Sequence, residues 1–465
     1  MFGFTYCNRI YIQNVLEMTG KEIQMINRRT FTIFGNEIER QISYDVTKPK
    51  VLYEEAQNPS NYFTLNDRIM SRHILMLGGA GSGKTNVFNL TVSQLRDDDN
   101  DNTEDVFIVF DTKGDFWENF HLPGDLVVGN GKKYREISAR WNLFDDVLAD
   151  GDNPEDYEIN AREMAAALFE GRGSESQPFF SYAARDIFAN VVIYFIRRAK
   201  EDPNRRKNLL NNHMLVDFFQ KATGKKYVEI FSYYPDMRSL LSYIGDGTSN
   251  QALGVFGELK SMINDCFLGV FASDDAKERF SMRNTVRKKG GTAIFIEYDL
   301  TVGEVMTPMY RLLIDLALKE ALGRTEEKGN VYLILDELKL LPKLKHLDDA
   351  LNFGRSMGVK VIAGLQSINQ LYDIYGREKG LVVAGGFGSV FGFHTSDHAS
   401  REYLTELFGK NVIGYQYTGV DRTLVKKERE GNTLEIWDQL LLKQGQAVVG
   451  LADKAEPFLF QFPLF

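Results

Sequence analysis

His73-Ile74-Leu75-Met76-Leu77-Gly78-Gly79-Ala80-Gly81-Ser82-Gly83-Lys84-Thr85 is the stretch that decides the fold. Gly78, Gly83, Lys84 and Thr85 fill the phosphate-loop pattern G-x-x-x-x-G-K-[ST]. The apolar run before the loop reads as a buried strand. Asn86 to Leu95 reads as a helix whose N-terminus faces the loop. The loop residues Gly78, Gly79, Ala80, Gly81, Ser82 and Gly83 are small enough to let successive backbone N–H groups point at phosphate oxygens. Lys84 places a positive charge on the β and γ phosphates, and Thr85 offers a hydroxyl to Mg²⁺. Asn86, at the start of the helix, belongs to the same nucleotide-facing set. A glycine-rich turn with a chance lysine is the bland alternative; strand, loop and helix in sequence argue against it. ATP and Mg²⁺ are therefore the expected cofactors.

A second half of such a site follows the most apolar strand, Val331-Tyr332-Leu333-Ile334-Leu335, which runs into Asp336-Glu337. This is the Walker B arrangement. Asp336 is expected in the metal shell, and Glu337 is expected to polarise the attacking water. Two helix-capping carboxylates would look the same in isolation; beside a complete phosphate loop the catalytic reading is preferred. No Asn-Lys-x-Asp guanine-reading motif is present, which favours ATP over GTP. Gln366 ends the next strand, where a polar side chain can sense the γ-phosphate; a plain strand-end residue is the alternative. Arg355 lies just before that strand. It reads either as an arginine finger for a neighbouring subunit or as a solvated surface charge.

Composition sets the outer limits. The chain has 465 residues, 43% of them hydrophobic, enough for a large core and for more than one domain. Its two cysteines, Cys7 and Cys266, make neither a disulfide framework nor a zinc pattern, which points to a reducing compartment. No uncharged apolar run reaches the ~20 residues that span a bilayer, and Ile187 to Ile196 reads as a core helix. The net charge of −9 weighs against a simple nucleic-acid binder. Part of that acidity lies in residues 97–105, read as a solvated loop.

Strands alternating with helices predict an α/β fold: a RecA-like P-loop NTPase domain with a mainly parallel sheet, plus an inserted all-α domain. The expected division is a small β-rich segment over 1–70, the ATPase domain over 71–150 and 285–465, and the all-α insertion over 151–284. Helices are expected over Ala161–Phe169, Phe179–Arg198, Met214–Lys221, Asn250–Leu268 and Thr307–Leu322. Strands are expected at Val106–Phe110, Ala293–Tyr298, Lys360–Leu365 and Ser389–Phe393. A flexible connector is read at Gly171–Ser176 and a helix break at Asp202-Pro203-Asn204.

From about Phe63 to the C-terminus the chain resembles the motor region of type IV secretion coupling proteins, the conjugative DNA-transfer ATPases. These group with ring-forming DNA translocases that include FtsK and HerA. Asp111-Thr112-Lys113-Gly114-Asp115 is similar to the family's Asp-Pro-Lys-Gly-Asp/Glu turn, and Trp141-Asn142-Leu143-Phe144 to its Trp-Asn-Pro-Phe. Both lack the proline. The most specific stretch runs from Leu335-Asp336-Glu337-Leu338 through Gly354-Arg355 to Gly364-Leu365-Gln366-Ser367-Ile368-Asn369-Gln370-Leu371. The resemblance implies a homo-hexamer, Arg355 as a trans finger, Gln366 as a γ-phosphate sensor, and Arg72 near the nucleotide. It implies DNA, single-stranded and gripped without regard to sequence, and a relaxase or relaxosome as partners. Lys339, Lys343, Lys345, Lys132, Lys133 and Arg135 are channel candidates; Arg205-Arg206-Lys207 and Lys225-Lys226 either contact DNA or solvate helix ends.

Family members usually begin with transmembrane helices, and no such pair is read here. The expectation is a cytoplasmic protein, peripheral at the inner face of the membrane through a membrane-bound secretion-channel partner. A soluble translocase of repair, partition or phage defence, and an ATP-gated scaffold without turnover, stay open as other readings.

Overall fold

The computed structural model describes residues 29–97, 103–173, 178–202, 204, 206–273, 279–301, 303–323, 328–418 and 424–465. Cys7, the middle of the acidic run, the end of the 171–176 connector, Pro203, and the Arg205-Arg206-Lys207 side chains lie outside this description.

The centre is a nine-stranded sheet. Its strands in chain order are β1 (Ile74–Leu77), β2 (Val106–Asp111), β3 (Leu126–Gly129), β4 (Ala293–Glu297), β5 (Val331–Leu335), β6 (Val359–Leu365), β7 (Ser389–Phe393), β8 (Gln446–Gly450) and β9 (Phe458–Gln461). In space they run β9-β8-β7-β1-β6-β5-β2-β4-β3. From β7 to β3 every pairing is parallel, and β8 and β9 add an antiparallel edge. The sheet is thus mainly parallel, as the strand–helix alternation predicts. The short β3 and the antiparallel edge were not anticipated.

Continuous apolar strands follow from burial on both faces. Alternate residues feed two cores. Leu75, Leu77, Ile108, Phe110, Leu333 and Leu335 face one, and Ile74, Met76, Phe107, Val109, Tyr332 and Ile334 face the other. The second core holds helix α1 (Lys84–Leu95) through Val87, Phe88, Val92 and Leu95. It also absorbs the small sheet of residues 43–65, whose Tyr53 and Phe63 pack edge-on against Phe391, Phe460 and Phe462. Strand Arg29–Gly35 lies elsewhere, pairing with Lys410–Thr418 of the hairpin that continues through Leu424–Asn432.

The first core runs on into the helical region. Arg140-Trp141 leaves the α/β part and Arg279-Phe280 returns to it, the two segments pairing in parallel. Every described element between them is helical. The longer ones are α2 (Pro154–Phe169), α3 (Pro178–Glu201), α4 (Asn212–Lys221), α5 (Gly224–Tyr233) and α6 (Asn250–Cys266). Helix α2 starts before the expected Ala161 because its first turn, Pro154-Glu155-Asp156-Tyr157, is largely polar, whereas α6 starts at the expected Asn250. Pro154 opens α2, and Ser249 caps α6. Helix α3 is long and apolar enough to cross a membrane by length and composition, yet Ile187, Phe188, Val191, Val192 and Ile196 are buried among its neighbours.

The return crossing is held by a buried carboxylate. Asp146 accepts the Trp141 indole N–H at 2.5 Å, the Ser281 hydroxyl at 2.6 Å, and the backbone N–H groups of Met282 at 3.1 Å and Arg283 at 2.7 Å. Outside it, Arg283 and Arg287 bridge Asp150 to Glu320 of helix α7 (Gly303–Ala321) at 2.8–3.0 Å. Asp146→Ala leaves four donors unpaired in the interior and should cost about 2–4 kcal/mol. A lowered urea midpoint is the expected result; an unchanged midpoint would show that the crossing does not depend on this carboxylate.

Candidate nucleotide site

Polar groups cluster at the carboxyl ends of the parallel strands, where open α/β sheets place their ligand crevice. The register aligns Leu77 with Leu365, Ala363 with Leu335, and Leu335 with Phe110. The residues that follow these strands therefore emerge side by side. Gly78 to Gly83 leave β1, Asp336 and Glu337 leave β5, and Gln366 leaves β6.

The phosphate loop needs its glycines. A Cβ on Gly78 would stand 2.5 Å from the Phe393 Cβ. Gly83 has φ 111°, and a Cβ there would stand 2.8 Å from Gly445, whose N–H donates to the Ser82 carbonyl at 2.8 Å. Lys84, Thr85 and Asn86 form the first turn of α1, whose N–H groups have no acceptor inside the helix. The Ser82 hydroxyl is buried with no hydrogen-bond partner among the described residues. Free donors at a helix N-terminus suit a polyanion.

Lys84 is buried, and its ammonium donates to the Gly78 and Gly79 carbonyls at 2.5 and 3.1 Å. Burial lowers its pKa, Glu337 and Asp336 oppose that, and Lys113 adds to it. The Thr85 hydroxyl lies 3.4 Å from Asp336 Oδ1. Burial raises the Asp336 pKa, against the attraction of Lys113 and Lys84. This hydroxyl–carboxylate pair is a fitting donor set for Mg²⁺, a hard cation that takes oxygen ligands. Glu337 Oε2 accepts the Gln366 amide at 2.6 Å, and Glu337 Oε1 is buried with no partner among the described residues. Burial raises the Glu337 pKa while Gln366 pulls it down. One carboxylate oxygen is thus fixed and the other is free to accept.

Three predicted residues lie elsewhere. Arg355 is exposed at the opposite end of β6 from Gln366, about 20 Å away along the strand, and has no hydrogen-bond or ion-pair partner among the described residues. Arg72 precedes β1, at the far end from the loop. It donates to the Ala452 carbonyl at 2.9 Å and lies 3.4 Å from Asp453. Along the strand that is about 15–20 Å from the loop, so Arg72 does not reach the phosphate loop. The Asn86 side chain turns to the C-terminal tail. Its amide donates to the Pro463 carbonyl at 2.7 Å and accepts the Phe465 N–H at 2.8 Å, leaving only its backbone to face a nucleotide.

A sequence profile described as the type IV secretion-system coupling protein DNA-binding domain matches residues 63–420. The chain belongs to this family. TraD of Escherichia coli K12 is 22% identical over 339 residues, 72% of this chain and 43% of TraD. VirD4 of Agrobacterium fabrum is 24% identical over 271 residues, 55% of this chain and 38% of VirD4. The chain thus spans less than half the length of these curated relatives. Among solved structures, the unbound conjugative coupling protein TrwBdeltaN70 superposes with a TM-score of 0.69 at 19% identity, covering 94% of this chain and 95% of that one. TrwB in complex with ADP and Mg²⁺ gives 0.66 at 20% identity over 94% and 95%. The fold of this coupling-protein chain is therefore the TrwB fold.

The site also contains residues to which the sequence reading gave no role. Asp111, at the end of β2, accepts the backbone N–H groups of Lys113, Gly114 and Phe116 at 2.9, 2.9 and 2.8 Å. These bonds fix the Asp-Thr-Lys-Gly-Asp turn beside Walker B. Glu297 stands opposite Asp111 across the β4–β2 pairing and is buried with Oε1 unpartnered among the described residues. The only sequence signal was a carboxylate ending each of two adjacent apolar strands. Burial and the neighbouring Asp111 push the Glu297 pKa up from about 4.5 to about 9, with Asp115 adding to the rise and Lys133 opposing it. The folded chain keeps this carboxyl protonated where the unfolded chain does not. Its contribution to stability is full below pH ~4.5 and is lost as pH rises through ~9. Glu297→Gln should remove that loss, so the stability gap between variant and wild type should widen with pH by at most about 1.4 kcal/mol per unit. Thermal unfolding between pH 5 and 9 measures this; parallel profiles would refute the assignment.

Proposed function

We propose that this chain is the ATP-hydrolysing motor of a conjugative coupling protein, a homo-hexamer that pumps single-stranded, relaxase-bound DNA toward a membrane-bound secretion channel. The observation that carries the reading is the convergence of Lys84, Thr85, Asp336, Glu337 and Gln366 at one sheet edge, with Glu337 anchored through one oxygen and open at the other. Thr85 and Asp336 would hold Mg²⁺, which neutralises charge on the β and γ phosphates. Lys84 holds the same phosphates, and the loop N–H groups from Gly79 to Asn86 cradle them. Glu337 takes the proton of the attacking water on its free oxygen. Gln366 keeps that carboxylate aimed and reports the state of the γ-phosphate.

The division into a β-rich segment over 1–70, an ATPase domain and an all-α insertion over 151–284 belongs to the same proposal. So do a cytoplasmic location and docking on a membrane partner. The DNA grip is assigned to exposed Lys339, Lys343 and Lys345 after Walker B, which would contact phosphates without reading bases. Lys133 is a weaker candidate, being paired with Glu118.

Steady-state ATPase assays with and without single-stranded DNA test the motor. Wild type should be stimulated by DNA, and the stimulation should fade with salt. Glu337→Gln should bind ATP and fail to turn it over. An unstimulated wild type, with rings shown to be assembled, would defeat the translocase reading. Hydrolysis at the wild-type rate by Glu337→Gln would take the base role from Glu337.

The exposed guanidinium of Arg355, unpaired among the described residues, suits a finger presented to the next subunit. Arg355→Ala should bind ATP normally and lose about 10³-fold or more in turnover. Mixing it with Lys84→Ala should restore part of the activity, because some interfaces then combine an intact pocket with an intact finger. Mixed rings that stay inactive would put Arg355 outside the neighbour's site.

A further inference from the structure

The Asp-Thr-Lys-Gly-Asp turn brings a second lysine to the phosphate loop. Lys113 Nζ lies 3.1 Å from the Thr85 hydroxyl. That hydroxyl also meets Asp336 at 3.4 Å, so Lys113 stands at the junction of the phosphate loop and Walker B. Its charge acts on both Lys84 and Asp336. The turn is built to hold it there. Asp111 ties down three backbone N–H groups. Gly114, with φ 81°, has no room for a side chain, since the Tyr134 hydroxyl would stand 2.2 Å from its Cβ and donates to the Gly114 carbonyl at 3.2 Å. Phe116 of the turn packs edge-on against Phe88 of α1, the centroids 6.4 Å apart, so the turn and the phosphate-loop helix are one packed unit.

An exposed lysine on a rigid turn needs a reason to aim inward. Thr85 is a weak one, since a hydroxyl offers no charge; the Asp336 carboxylate beside it is the stronger, and the Lys113 charge acts on it ahead of that of Lys84. A metal at Thr85 and Asp336 would repel the ammonium from the hydroxyl. The flexible four-carbon stem would then bring it to the nearest remaining anion, the phosphate group that shares the metal. Lys84 approaches from within the loop; Lys113 approaches from the Walker B side.

We propose that Lys113 is a second phosphate-binding lysine of this site, contacting the terminal phosphate and so distinguishing a nucleoside triphosphate from a diphosphate. The proposal rests on the nucleotide reading of the phosphate loop. It adds a residue outside both Walker motifs and gives the turn after β2 a ligand.

Calorimetric titration of the full chain with Mg²⁺–ADP and with the Mg²⁺ complex of a β,γ-imido ATP analogue tests it without relying on turnover. Wild type should bind both. Lys113→Met should lose about 10- to 100-fold in affinity for the analogue, the range of one charge-assisted hydrogen bond, and keep its affinity for ADP. Lys113→Arg should recover much of the loss. Lys113 is exposed, so an unchanged melting temperature should accompany these values. Equal affinities of Lys113→Met and wild type for the analogue would overturn the proposal. So would an equal loss for ADP and analogue, which would make Lys113 a general support of the loop. A wild type that binds neither nucleotide fails earlier, at the phosphate-loop reading itself.

Discussion

Burial of a parallel sheet on both faces is the constraint from which the rest of this structure follows. Strands such as Val331–Leu335 and Val359–Leu365 are inaccessible along their whole length. Every apolar side chain on them is spent on one core or the other, and Lys360, near the start of its strand, pairs with Asp67 at 3.4 Å. Polar chemistry is therefore confined to the strand ends, and the in-line register collects it at one edge. Lys84, Asp336, Glu337, Gln366 and Lys113 come from four separate chain segments, yet they become neighbours because the segments share a sheet edge.

That constraint also explains what the sequence revealed and what it withheld. Fully buried strands are unbroken apolar runs, so β1, β2, β4, β5, β6 and β7 could be read directly, together with the residues that leave their ends. Gly78 to Thr85 and Asp336-Glu337 were legible because backbone geometry and charge leave a fixed spacing. Lys113 was visible only as part of a family-like turn, since its contact with Thr85 depends on folding across 28 residues. Arg72 and Asn86 show the reverse. Each stands at a suggestive position in the chain, and each side chain is engaged by C-terminal residues that no local pattern connects to it. His73 reads as the first residue of β1, but it lies in the left-handed region at φ 61° and its imidazole accepts the Val361 N–H at 3.1 Å. Tertiary partners, invisible locally, set these conformations.

The helical region is less separate than its sequence suggests. Its helices share a continuous core with one face of the sheet. Its return segment is held by Asp146, and its flank by the ion pairs that join Arg283 and Arg287 to Asp150 and Glu320. Glu320 sits on the helix that follows β4, the strand ending in Glu297. The helical layer is thus fastened to an element that borders the nucleotide site. Rotation of the layer as a free lobe would have to break these contacts first.

The hold of Asn86 on Pro463 and Phe465 has a practical side. The end of the described chain lies against the first turn of the phosphate-loop helix, with the Phe465 ring 5.4 Å from that of Phe120. An affinity tag or fluorescent fusion joined after Phe465 would begin beside that helix turn and compete for the same space. A reporter inserted after Asp97 would start at the opposite end of α1, a helix of 12 residues, about 18 Å away. Experiments on this protein gain from labelling there.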